Sequence, residues 1–532
     1  MSKNENVSAA CQELIDGILA GAVDRGNLQK AKAEVAKRYG LASLLSNTLI
    51  YDRAAPQVRQ ELTKVLQRKP TRTASGVAVV AVMTSPYACP HGKCTPCPGG
   101  PQFSVPQSYT GLEPAAKRAI QHGFDPYKQV KARLRQLRQI GHPTDKVELI
   151  IMGGTFTARP LDYQAWFVRR CIEALNDFPY TKRTVTGKAG DALRANEDAA
   201  TRNVGITFET RPDYATPPHI DRMLSLGGTK VELGVQSTSD RILDEIKRGH
   251  SVADSVGANR ACRDSGLKVG FHIMPGLPGS DRDADLRMFA ELFDDARFRP
   301  DYLKIYPTLV TQATPLYEAW ARGEYNALTV EEATELIARA KALLPAWVRL
   351  QRVQRDIPAE RIISGVDKSN LRQLAKARLL ERHGNCRCIR CREAGLLGVT
   401  EVESLQQRIE TYTACDGTEH FISYTGQSDG LEVLIGFLRL RFPSTPHRTE
   451  IHEDTALIRE LHVYGTVARL GEHVREKWQH RGFGAALLQT AEVVATDAGM
   501  RKIAVTSALG VRQYYRDKDY GIEGPYMTKQ LA

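Results

Sequence analysis

Short apolar runs alternate with amphipathic helical segments between residues 77 and 355. Six of the runs are rich in β-branched residues, and helical stretches such as residues 162–178 separate them. The runs are VAVVAVMT, VELIIMGG, VGITFET, TKVELGVQ, LKVGFHIM and DYLKIYP. Strands that alternate with helices in this way are typical of parallel βα units. The pattern predicts an α/β domain in which six such units, (βα)6, form a full or partial TIM-like barrel.

The segments on either side of this domain follow other patterns. Residues 1–72 contain helical patterns that end near Gly40 and Pro70, and the polar segment 184–203 predicts an exposed insertion between the second and third strands. We therefore predict four regions. They are a helical, basic N-terminal region (1–72), the barrel (73–370), a cysteine-rich linker (371–420) and a second α/β domain (421–532).

Composition narrows the function classes. A chain of 532 residues suggests about three domains. Its net charge of +12 and sequence pI near 9.1 favour a polyanionic partner such as nucleic acid. The ten cysteines are clustered, which indicates metal binding in a reducing compartment rather than a disulfide framework. Neither a signal peptide nor a membrane span is visible, so we expect a cytoplasmic protein with no membrane partner.

The loop after the first strand carries the strongest chemical signal. Cys89, Cys94 and Cys97 have C-x4-C-x2-C spacing, so one short loop can direct three thiolates at a metal cluster. A plant-type [2Fe–2S] loop and a structural zinc knuckle have similar spacing. The barrel context favours a [4Fe–4S] cluster, because the loop lies at the C-terminal mouth, where such folds place their chemistry. Three cysteine ligands would leave one iron open to S-adenosylmethionine (SAM), the substrate of radical-SAM cleavage.

Three further strand ends are predicted to line the same mouth. Gly153 and Gly154 follow the second strand, and glycines there would let the backbone approach the amino acid end of SAM closely. Glu209 ends the third strand and Gln236 ends the fourth. We expect all four residues to bind the cofactor.

A second cysteine cluster lies in the linker, where Cys386, Cys388 and Cys391 form C-x-C-x2-C. Zinc prefers four sulfur or nitrogen ligands in a tetrahedron, so the spacing predicts a structural zinc site, although a cysteine-rich turn without metal is the alternative. His383, Cys415 and His420 are candidate fourth ligands, and the sequence does not choose among them. Cys11, Cys171 and Cys262 occur in helical patterns and are expected to be core residues.

The C-terminal region carries a different motif, Q/R-x-x-G-x-G/A, which is typical of the pyrophosphate loop of GNAT acetyltransferases. Glycines before a helix expose backbone N–H groups to an anion, which here would be the pyrophosphate of acetyl-CoA. The preceding run RELHVY predicts a strand whose backbone pairs with the pantetheine arm. Either of two adjacent tyrosines could contact the thioester, or both could be packed aromatics. The predicted acetyl-CoA residues are Glu460, Leu461, His462, Val463, Tyr464, Gln479, Arg481, Gly482, Phe483, Gly484, Ala485, Tyr514 and Tyr515.

These motifs together resemble one family. The residues CPHGKCTPCPGGP, QSYTGLEP, KVELIIMGGTF, GITFETRPDY, ELGVQS, IMPGLPG, ELHVYG, HRGFG and GPYM are similar to those of the catalytic subunit of Elongator in its single-chain archaeal and bacterial form. The resemblance runs from about residue 70 to the C-terminus. It implies a radical-SAM (βα)6 partial TIM-like barrel, a C-terminal GNAT α/β acetyltransferase domain and a helical N-terminal extension.

The resemblance also implies an activity. In that family a SAM-derived radical and acetyl-CoA install a carboxymethyl-type two-carbon group at C5 of the wobble uridine, U34, in the anticodon loop of tRNA. It further implies that Lys146 lies beside acetyl-CoA with a catalytic role, that the basic N-terminal region contacts tRNA, and that zinc stabilises the junction between domains. The oligomeric state is left open, a homodimer included.

Two other functions are compatible with parts of the sequence. A protein lysine acetyltransferase with a structural iron–sulfur domain would acetylate peptides without SAM. A non-catalytic tRNA-binding assembly module would leave tRNA modification unaltered after Cys94→Ala. Intact motifs at both predicted sites favour the tRNA-modifying enzyme.

Overall fold

The computed structural model describes residues 3–67, 73, 75–180, 184–464 and 482–531. Four helices with their own apolar core form the N-terminal region. They are α1 (Lys3–Leu19), α2 (Leu28–Arg38), α3 (Asn47–Arg53) and α4 (Arg59–Leu66). The sequence pattern did not indicate α3, whose first turn is capped by the Ser46 hydroxyl. Cys11 is buried in this core, as expected.

A sheet of seven parallel strands in sequential order forms the central domain. The strands are β1 (Ala78–Met83), β2 (Lys146–Met152), β3 (Arg202–Thr210), β4 (Lys230–Gln236), β5 (Lys268–Ile273), β6 (Tyr302–Ile305) and β7 (Arg349–Arg352). All six predicted strands are present. The seventh was not predicted because its residues, RLQR, contain one apolar side chain. Because β1 and β7 are the two edges of the sheet, the barrel is partial.

Helices connect these strands and cover one face of the sheet. They are α5 (Pro114–Gln121), α6 (Pro126–Gln139), α7 (Leu161–Asn176), α8 (Ala189–Ala195), α9 (Pro217–Ser225), α10 (Asp240–Glu245), α11 (Val252–Asp264), α12 (Arg282–Asp294), α13 (Pro315–Ala321) and α14 (Val330–Leu343). The insertion between β2 and β3, predicted to be exposed, instead contains α8, which buries Ala192 and Leu193. Three more helices follow β7: α15 (Leu371–Glu381), α16 (Ile389–Arg392) and α17 (Ala394–Leu397).

The C-terminal region is a second seven-stranded sheet. Its strands are β8 (Glu403–Ala414), β9 (Gly417–Ser428), β10 (Leu431–Phe442), β11 (Thr455–Val463), β12 (Lys502–Val505), β13 (Gly521–Glu523) and β14 (Tyr526–Gln530), in the order β13-β14-β12-β11-β10-β9-β8. The predicted boundary after residue 420 therefore falls within β9. All neighbours are antiparallel except β11 and β12, and α18 (Phe483–Asp497) and α19 (Arg512–Arg516) complete the domain.

The two sheets share one apolar core. Phe437, Leu457 and Tyr526 of the second sheet pack in the same buried cluster as Leu303 and Leu350 of the barrel. The opposite face of the second sheet packs against α18. Within the described chain, no helix is both long enough and apolar enough to cross a membrane.

The second sheet contacts the barrel at the N-terminal ends of the barrel strands. Gly510 lies on Arg202 at the start of β3, because a Cβ at Gly510 would be 2.4 Å from the Arg202 Cβ. Tyr526 Oη donates to the carbonyl of Ser265, just before β5. The second sheet therefore covers this end of the barrel. The end that it does not cover, at the C-terminal ends of the strands, is called the open end.

Buried ion pairs join the two sheets. Asp301 precedes β6, and its carboxylate accepts two hydrogen bonds from the Arg459 guanidinium, at 2.6 and 2.8 Å. Glu419 accepts from Arg459 at 2.6 Å and from Arg263 of α11 at 2.9 Å. The four side chains are at most 1% exposed. Burial alone would raise the pKa of the Asp301 carboxyl, but Arg263 and Arg459 hold it well below its usual range.

A β-bulge in β11 makes this contact. Arg439 of β10 pairs with Glu460 and the next residue, Leu440, pairs with Ile458, so Arg459 is an extra residue in the strand. Leu457 faces the barrel before the bulge, and Glu460 faces it afterwards, where it accepts hydrogen bonds from Arg439 and Tyr302. The bulge thus places two successive charged side chains, Arg459 and Glu460, on the side of the barrel.

Removal of one partner from this network should be costly, because it leaves buried charge uncompensated. We expect Asp301→Asn to lower the free energy of unfolding by about 3–5 kcal/mol, measured by urea denaturation. Trp347, which stacks on Tyr412 of β8 with centroids 4.2 Å apart, reports on the interface by fluorescence. The ionised Asp301 contributes its full stabilisation above the pKa that this carboxyl has in the unfolded chain. That contribution is lost as the pH falls from there toward the lower pKa of the folded state.

The matched control is Glu324→Gln, which makes the same chemical change in an exposed pair with Arg322. Such pairs contribute roughly 0–1 kcal/mol, so this variant should unfold close to the wild type. Equal losses of stability in the two variants would contradict the role assigned to the buried network.

Candidate functional site

The three cysteines of the first loop lie at the open end of the barrel, directly after β1. Cys94 and Cys97 are buried and Cys89 is half-buried. Burial raises the pKa of the Cys89 and Cys97 thiols. Thiolates at these positions therefore need a positive partner, and iron supplies one. Three free thiols in one loop, with no disulfide among them, fit the predicted cluster.

The glycine pair after β2 lies against this loop. Gly153 has φ +120° and Gly154 has φ +76°, so both adopt conformations that favour glycine. A Cβ at Gly153 would lie 2.3 Å from the Thr84 hydroxyl oxygen, which leaves no room for a side chain. A Cβ at Gly154 would lie 3.8 Å from the sulfur of Cys89. The Gly154 backbone is thus brought next to the cluster loop, as the sequence predicts.

Glu209 and Gln236 also lie at the open end, but they differ in how many hydrogen bonds their side-chain oxygens accept. The Glu209 carboxylate accepts from Tyr109 Oη at 3.2 Å and from Lys304 Nζ at 3.1 Å. Gln236 has φ +73°, and its Oε1 is buried with no hydrogen-bond partner in the described part of the chain. A buried acceptor of this kind needs a donor, which an amino or hydroxyl group of a bound ligand can supply.

Below these residues the barrel interior is charged, which the sequence analysis missed. Glu232 of β4 is contacted by Lys304, by Lys230 at 3.3 Å and by His272 at 3.0 Å. Lys230 also pairs with Glu148 at 3.2 Å. Burial acts to lower the pKa of Lys304, but the Glu232 carboxylate overrides it and the pKa is raised. The available signal was a charged residue inside an apolar strand, as in VELGV and YLKIY.

The end of β11 forms the second candidate site. On one side the strand pairs with β10 as far as Val463, whereas it pairs with β12 only over residues 455–458. The β12-facing backbone of residues 460–462 therefore has no strand partner among the described residues. Leu461 and Val463 pack toward α18, and Glu460 and His462 face the barrel. A free strand edge of this kind can pair with an extended ligand.

Aromatic and charged groups surround the end of this strand. Tyr464 Oη accepts from Arg349 Nη1 at 2.9 Å, which connects it to the start of β7. The rings of His462 and Tyr464 have centroids 4.3 Å apart. Burial lowers the pKa of His462, so its imidazole is neutral near pH 7.

The predicted pyrophosphate loop is described from Gly482 onward, and Gln479 and Arg481 lie outside the described residues. Gly482 is the N-cap of α18 with φ +81°, and Ala485 lies in the first turn. Phe483 packs against Tyr424 of β9, with ring centroids 5.0 Å apart. The structure thus places a glycine turn at the start of a helix beside the end of β11, since a Cβ at Gly484 would lie 3.9 Å from Val463.

The two adjacent tyrosines of α19 have different environments. The Tyr514 hydroxyl would lie 3.2 Å from a Cβ at Gly484, so it is at the start of α18, and the residue is 36% exposed. Tyr515 is 5% exposed and packs against Tyr520 in the core behind the sheet. Of the two, Tyr514 is in position to contact a ligand at this loop.

Lys146 is the first residue of β2 and pairs in register with Arg202 of β3. This is the end of the barrel that the second sheet covers. Gly153 follows the other end of the same strand, so about 20 Å of strand separates Lys146 from the cysteine loop. The structure therefore brings Lys146 to the boundary between the sheets and not to the cysteine loop.

The three cysteines of the linker lie close together in space. The sulfur atoms of Cys386, Cys388 and Cys391 lie within 4.8 Å of one another. None of the candidate fourth ligands joins this group among the described residues; Cys415, for example, donates to the Arg297 carbonyl at 3.2 Å. Lys341 Nζ lies 3.5 Å from the sulfur of Cys391, a contact that the sequence did not indicate. Cys171 and Cys262 are buried core residues, as expected.

Comparisons with known proteins agree with this geometry. The model of the ELP3 N-terminal domain matches residues 7–74, that of the radical SAM superfamily matches 83–293, and that of the Radical_SAM C-terminal domain matches 300–381. The tRNA uridine(34) acetyltransferase of Methanocaldococcus jannaschii is 48% identical over 522 residues, which cover 96% of this chain and 95% of that protein.

Eukaryotic and structural relatives extend the match. Elongator complex protein 3 of Danio rerio is 43% identical, with 95% of this chain and 93% of that protein covered. The solved structure of archaeal Methanocaldococcus infernus Elp3 with an N-terminal deletion (1–46) superposes with a TM-score of 0.75 and 44% identity. The superposed residues cover 86% of this chain and 100% of the archaeal chain. This chain belongs to the family of Elongator complex protein 3 and tRNA uridine(34) acetyltransferases.

Proposed function

We propose that this chain is an acyltransferase of the radical-SAM type that modifies C5 of uridine 34 in tRNA. It would use acetyl-CoA and SAM to install a carboxymethyl-type two-carbon group. The names of its relatives support the uridine and the acetyl donor. The observation that carries the proposal is the grouping of the three loop cysteines with Gly154 at the open end of a parallel barrel.

The open end is the proposed SAM site. Cys89, Cys94 and Cys97 would hold a [4Fe–4S] cluster, which supplies the electron that cleaves SAM when both are bound. Gly153 and Gly154 would present backbone groups to the amino acid end of SAM. Gln236 Oε1, for which the described residues offer no partner, would accept a hydrogen bond from it. Glu209 is already bonded to Tyr109 and Lys304, so it would orient the ligand from a fixed position.

The second sheet is the proposed acetyl-CoA site and would be a GNAT domain. The parallel pair β11–β12 within an otherwise antiparallel sheet ends at Ile458, so the backbone of residues 460–462 would be able to pair with the pantetheine arm. The first turn of α18, from Gly482 to Ala485, would hold the pyrophosphate on its N–H groups. Gln479 and Arg481 belong to the same motif and would bind there too, and Tyr514 would contact the thioester.

The two proposed sites lie at opposite ends of the barrel strands. Lys146 is on the side of the acetyl-CoA site, where we propose that its ammonium holds a phosphate or the thioester of the cofactor. Tyr515 would support Tyr514 from the core and not act on the ligand itself. The acetyl unit must then move from this side toward the open end before it meets the base.

The remaining assignments concern partners and the linker metal. We propose that Cys386, Cys388 and Cys391 bind zinc, because three sulfurs within 4.8 Å match a shared ion. The N-terminal helical region would contact tRNA, and the protein would act in the cytoplasm, where tRNA is available. A base in an anticodon loop is already unpaired, so its display to the barrel mouth costs little. A homodimer stays a prediction.

The central test is a complete reaction. We expect protein reconstituted anaerobically with iron and sulfide to cleave SAM and to add a carboxymethyl group to uridine 34 when reductant, acetyl-CoA and tRNA are present, as measured by nucleoside mass analysis. Cys94→Ala should abolish both activities, because the cluster loses a ligand. Cys171→Ala, a buried cysteine of α7, is the matched control and should retain them.

Other outcomes would identify other functions. Acetylation of lysine peptides without SAM would indicate a protein acetyltransferase. Unaltered tRNA modification by a folded Cys94→Ala protein would show that the cluster has a structural role only.

The acetyl-CoA site is tested by Gly482→Glu. A carboxylate at the start of α18 should repel the pyrophosphate and weaken acetyl-CoA binding at least tenfold in calorimetry, while tRNA binding is unchanged. Gly499→Glu is the matched control, because Gly499 has φ +79° and follows the other end of the same helix. If the Gly482→Glu and wild-type proteins bind acetyl-CoA with equal affinity, the pyrophosphate does not bind at this loop.

Lys146 is tested by Lys146→Ala. If its ammonium holds acetyl-CoA, tRNA-dependent turnover of acetyl-CoA should fall at least tenfold while SAM cleavage at the far end of the barrel continues. The exposed Lys376 of α15 provides the control Lys376→Ala. If the Lys146→Ala protein turns over acetyl-CoA at the wild-type rate, Lys146 has no role in binding acetyl-CoA.

A further inference from the structure

Among the three loop cysteines, Cys94 has different neighbours from the other two. The sulfur of Cys94 lies 3.0 Å from His91 Nε2 and 3.6 Å from Arg248 Nη1. The sulfurs of Cys89 and Cys97 each have one side-chain hydroxyl, from Thr155 at 3.6 Å and from Ser108 at 3.3 Å. Cys94 alone among these three therefore has two side-chain nitrogen donors, one of them cationic.

The position of His91 is fixed by the fold. His91 lies in the same loop, three residues before Cys94, and its ring packs on Gly249 after α10. A Cβ at Gly249 would lie 2.9 Å from the His91 Cβ, and Gly249 has φ +69°, so glycine is required there. The Nδ1 atom of His91 is buried without a partner among the residues that the structure describes, which agrees with a neutral ring that carries its proton on Nε2.

Arg248 is held from two directions. Its Nη2 donates to the carbonyl of Gly234 in β4 at 2.7 Å, which leaves Nη1 for the sulfur. Arg211, at the end of β3, donates to the carbonyls of Arg248 and Gly249 at 2.9 and 2.8 Å. Asp213 in turn accepts two hydrogen bonds from Arg211. Because this chain of contacts needs no metal, the donors are in place before a cluster binds.

We propose that His91 and Arg248 set the reduction potential of the [4Fe–4S] cluster through their hydrogen bonds to Cys94. This inference rests on the proposed radical-SAM function. On reduction the cluster gains one electron from an external one-electron reductant, no bond breaks, and the added negative charge is shared with the cysteine sulfurs. N–H donors and a fixed cation stabilise that charge more than they stabilise the oxidised form, so they raise the potential.

Neither residue needs to touch the tRNA or SAM for this effect. His91 and Arg248 act through the sulfur of Cys94, and hydrogen bonds to the sulfurs are one of the established controls on cluster potential. A protein without these bonds would need a stronger reductant to begin SAM cleavage. The pair therefore determines which class of electron donor can serve the enzyme.

The test is a potentiometric titration of the reconstituted full-length protein with dithionite, followed by electron paramagnetic resonance of the reduced cluster. His91→Phe keeps the ring but removes the donor. At a fixed solution potential we expect its ratio of reduced to oxidised cluster to fall at least threefold. His91→Gln, whose amide can donate to the same sulfur, should restore most of the ratio.

Two further variants separate the hydrogen bond from general electrostatics. Arg248→Gln should also lower the ratio at least threefold, since it removes both the cation and its contact with Cys94. Lys93→Met removes a cation from the same loop, whose ammonium donates to the Ala313 carbonyl and to no cysteine sulfur that the structure describes. This control should titrate as the wild type does.

The outcomes distinguish this inference from the function on which it rests. Wild-type potentials for His91→Phe and Arg248→Gln, at full iron content, would overturn the inference and leave the radical-SAM assignment intact. A wild-type protein that assembles no cluster would overturn both. If His91→Phe takes up less iron than the wild type, Arg248→Gln gives the same test at the same sulfur.

Discussion

The buried ion pairs of Asp301 and Glu419 with Arg459 and Arg263 are the interaction on which the arrangement of the molecule depends. Charges that are removed from water must be matched by partners in fixed positions, so the network tolerates one relative placement of the two sheets. That placement covers the N-terminal ends of the barrel strands. The cysteine loop, Gly154 and Gln236 are consequently left at the open end, and the free edge of β11 faces the other one.

The barrel interior, between the two ends, also contains buried ion pairs. Glu148, Lys230, Glu232, Lys304 and Glu209 alternate in sign along the inside of the sheet, and each carboxylate has a lysine within contact distance. A hydrophobic barrel of this size is filled by branched apolar side chains. Here the interior is polar, and each of its three carboxylates is paired with at least one of the two lysines. It can therefore contact charged ligands at the open end without holding a large unpaired charge.

Much of this arrangement could be predicted from the sequence, because periodicity and spacing are local properties. Six strands, the helix α18 and both cysteine triads were found in this way. The seventh strand was missed since RLQR carries no apolar run, and α8 was missed because its two buried residues lie in a polar segment. Arg248 and Lys341 are far in sequence from the cysteines that they contact, so only the folded chain shows these contacts. His91 is three residues from Cys94, but its spacing alone does not show that its ring reaches the sulfur. The different environments of Tyr514 and Tyr515 likewise depend on tertiary packing.

The bulge at Arg459 has a consequence for how this strand can vary. Side chains in a strand alternate between its two faces, so regular pairing of every residue of β11, without the bulge, would shift each position after Arg459 to the opposite face. Leu461 and Val463 would then meet the charged ends of the barrel strands, and Glu460 and His462 would be turned into the apolar layer under α18. The register of β11 is thus restricted as tightly as its composition, because the residues after Arg459 keep their faces only while one residue of the strand stays out of the ladder with β10.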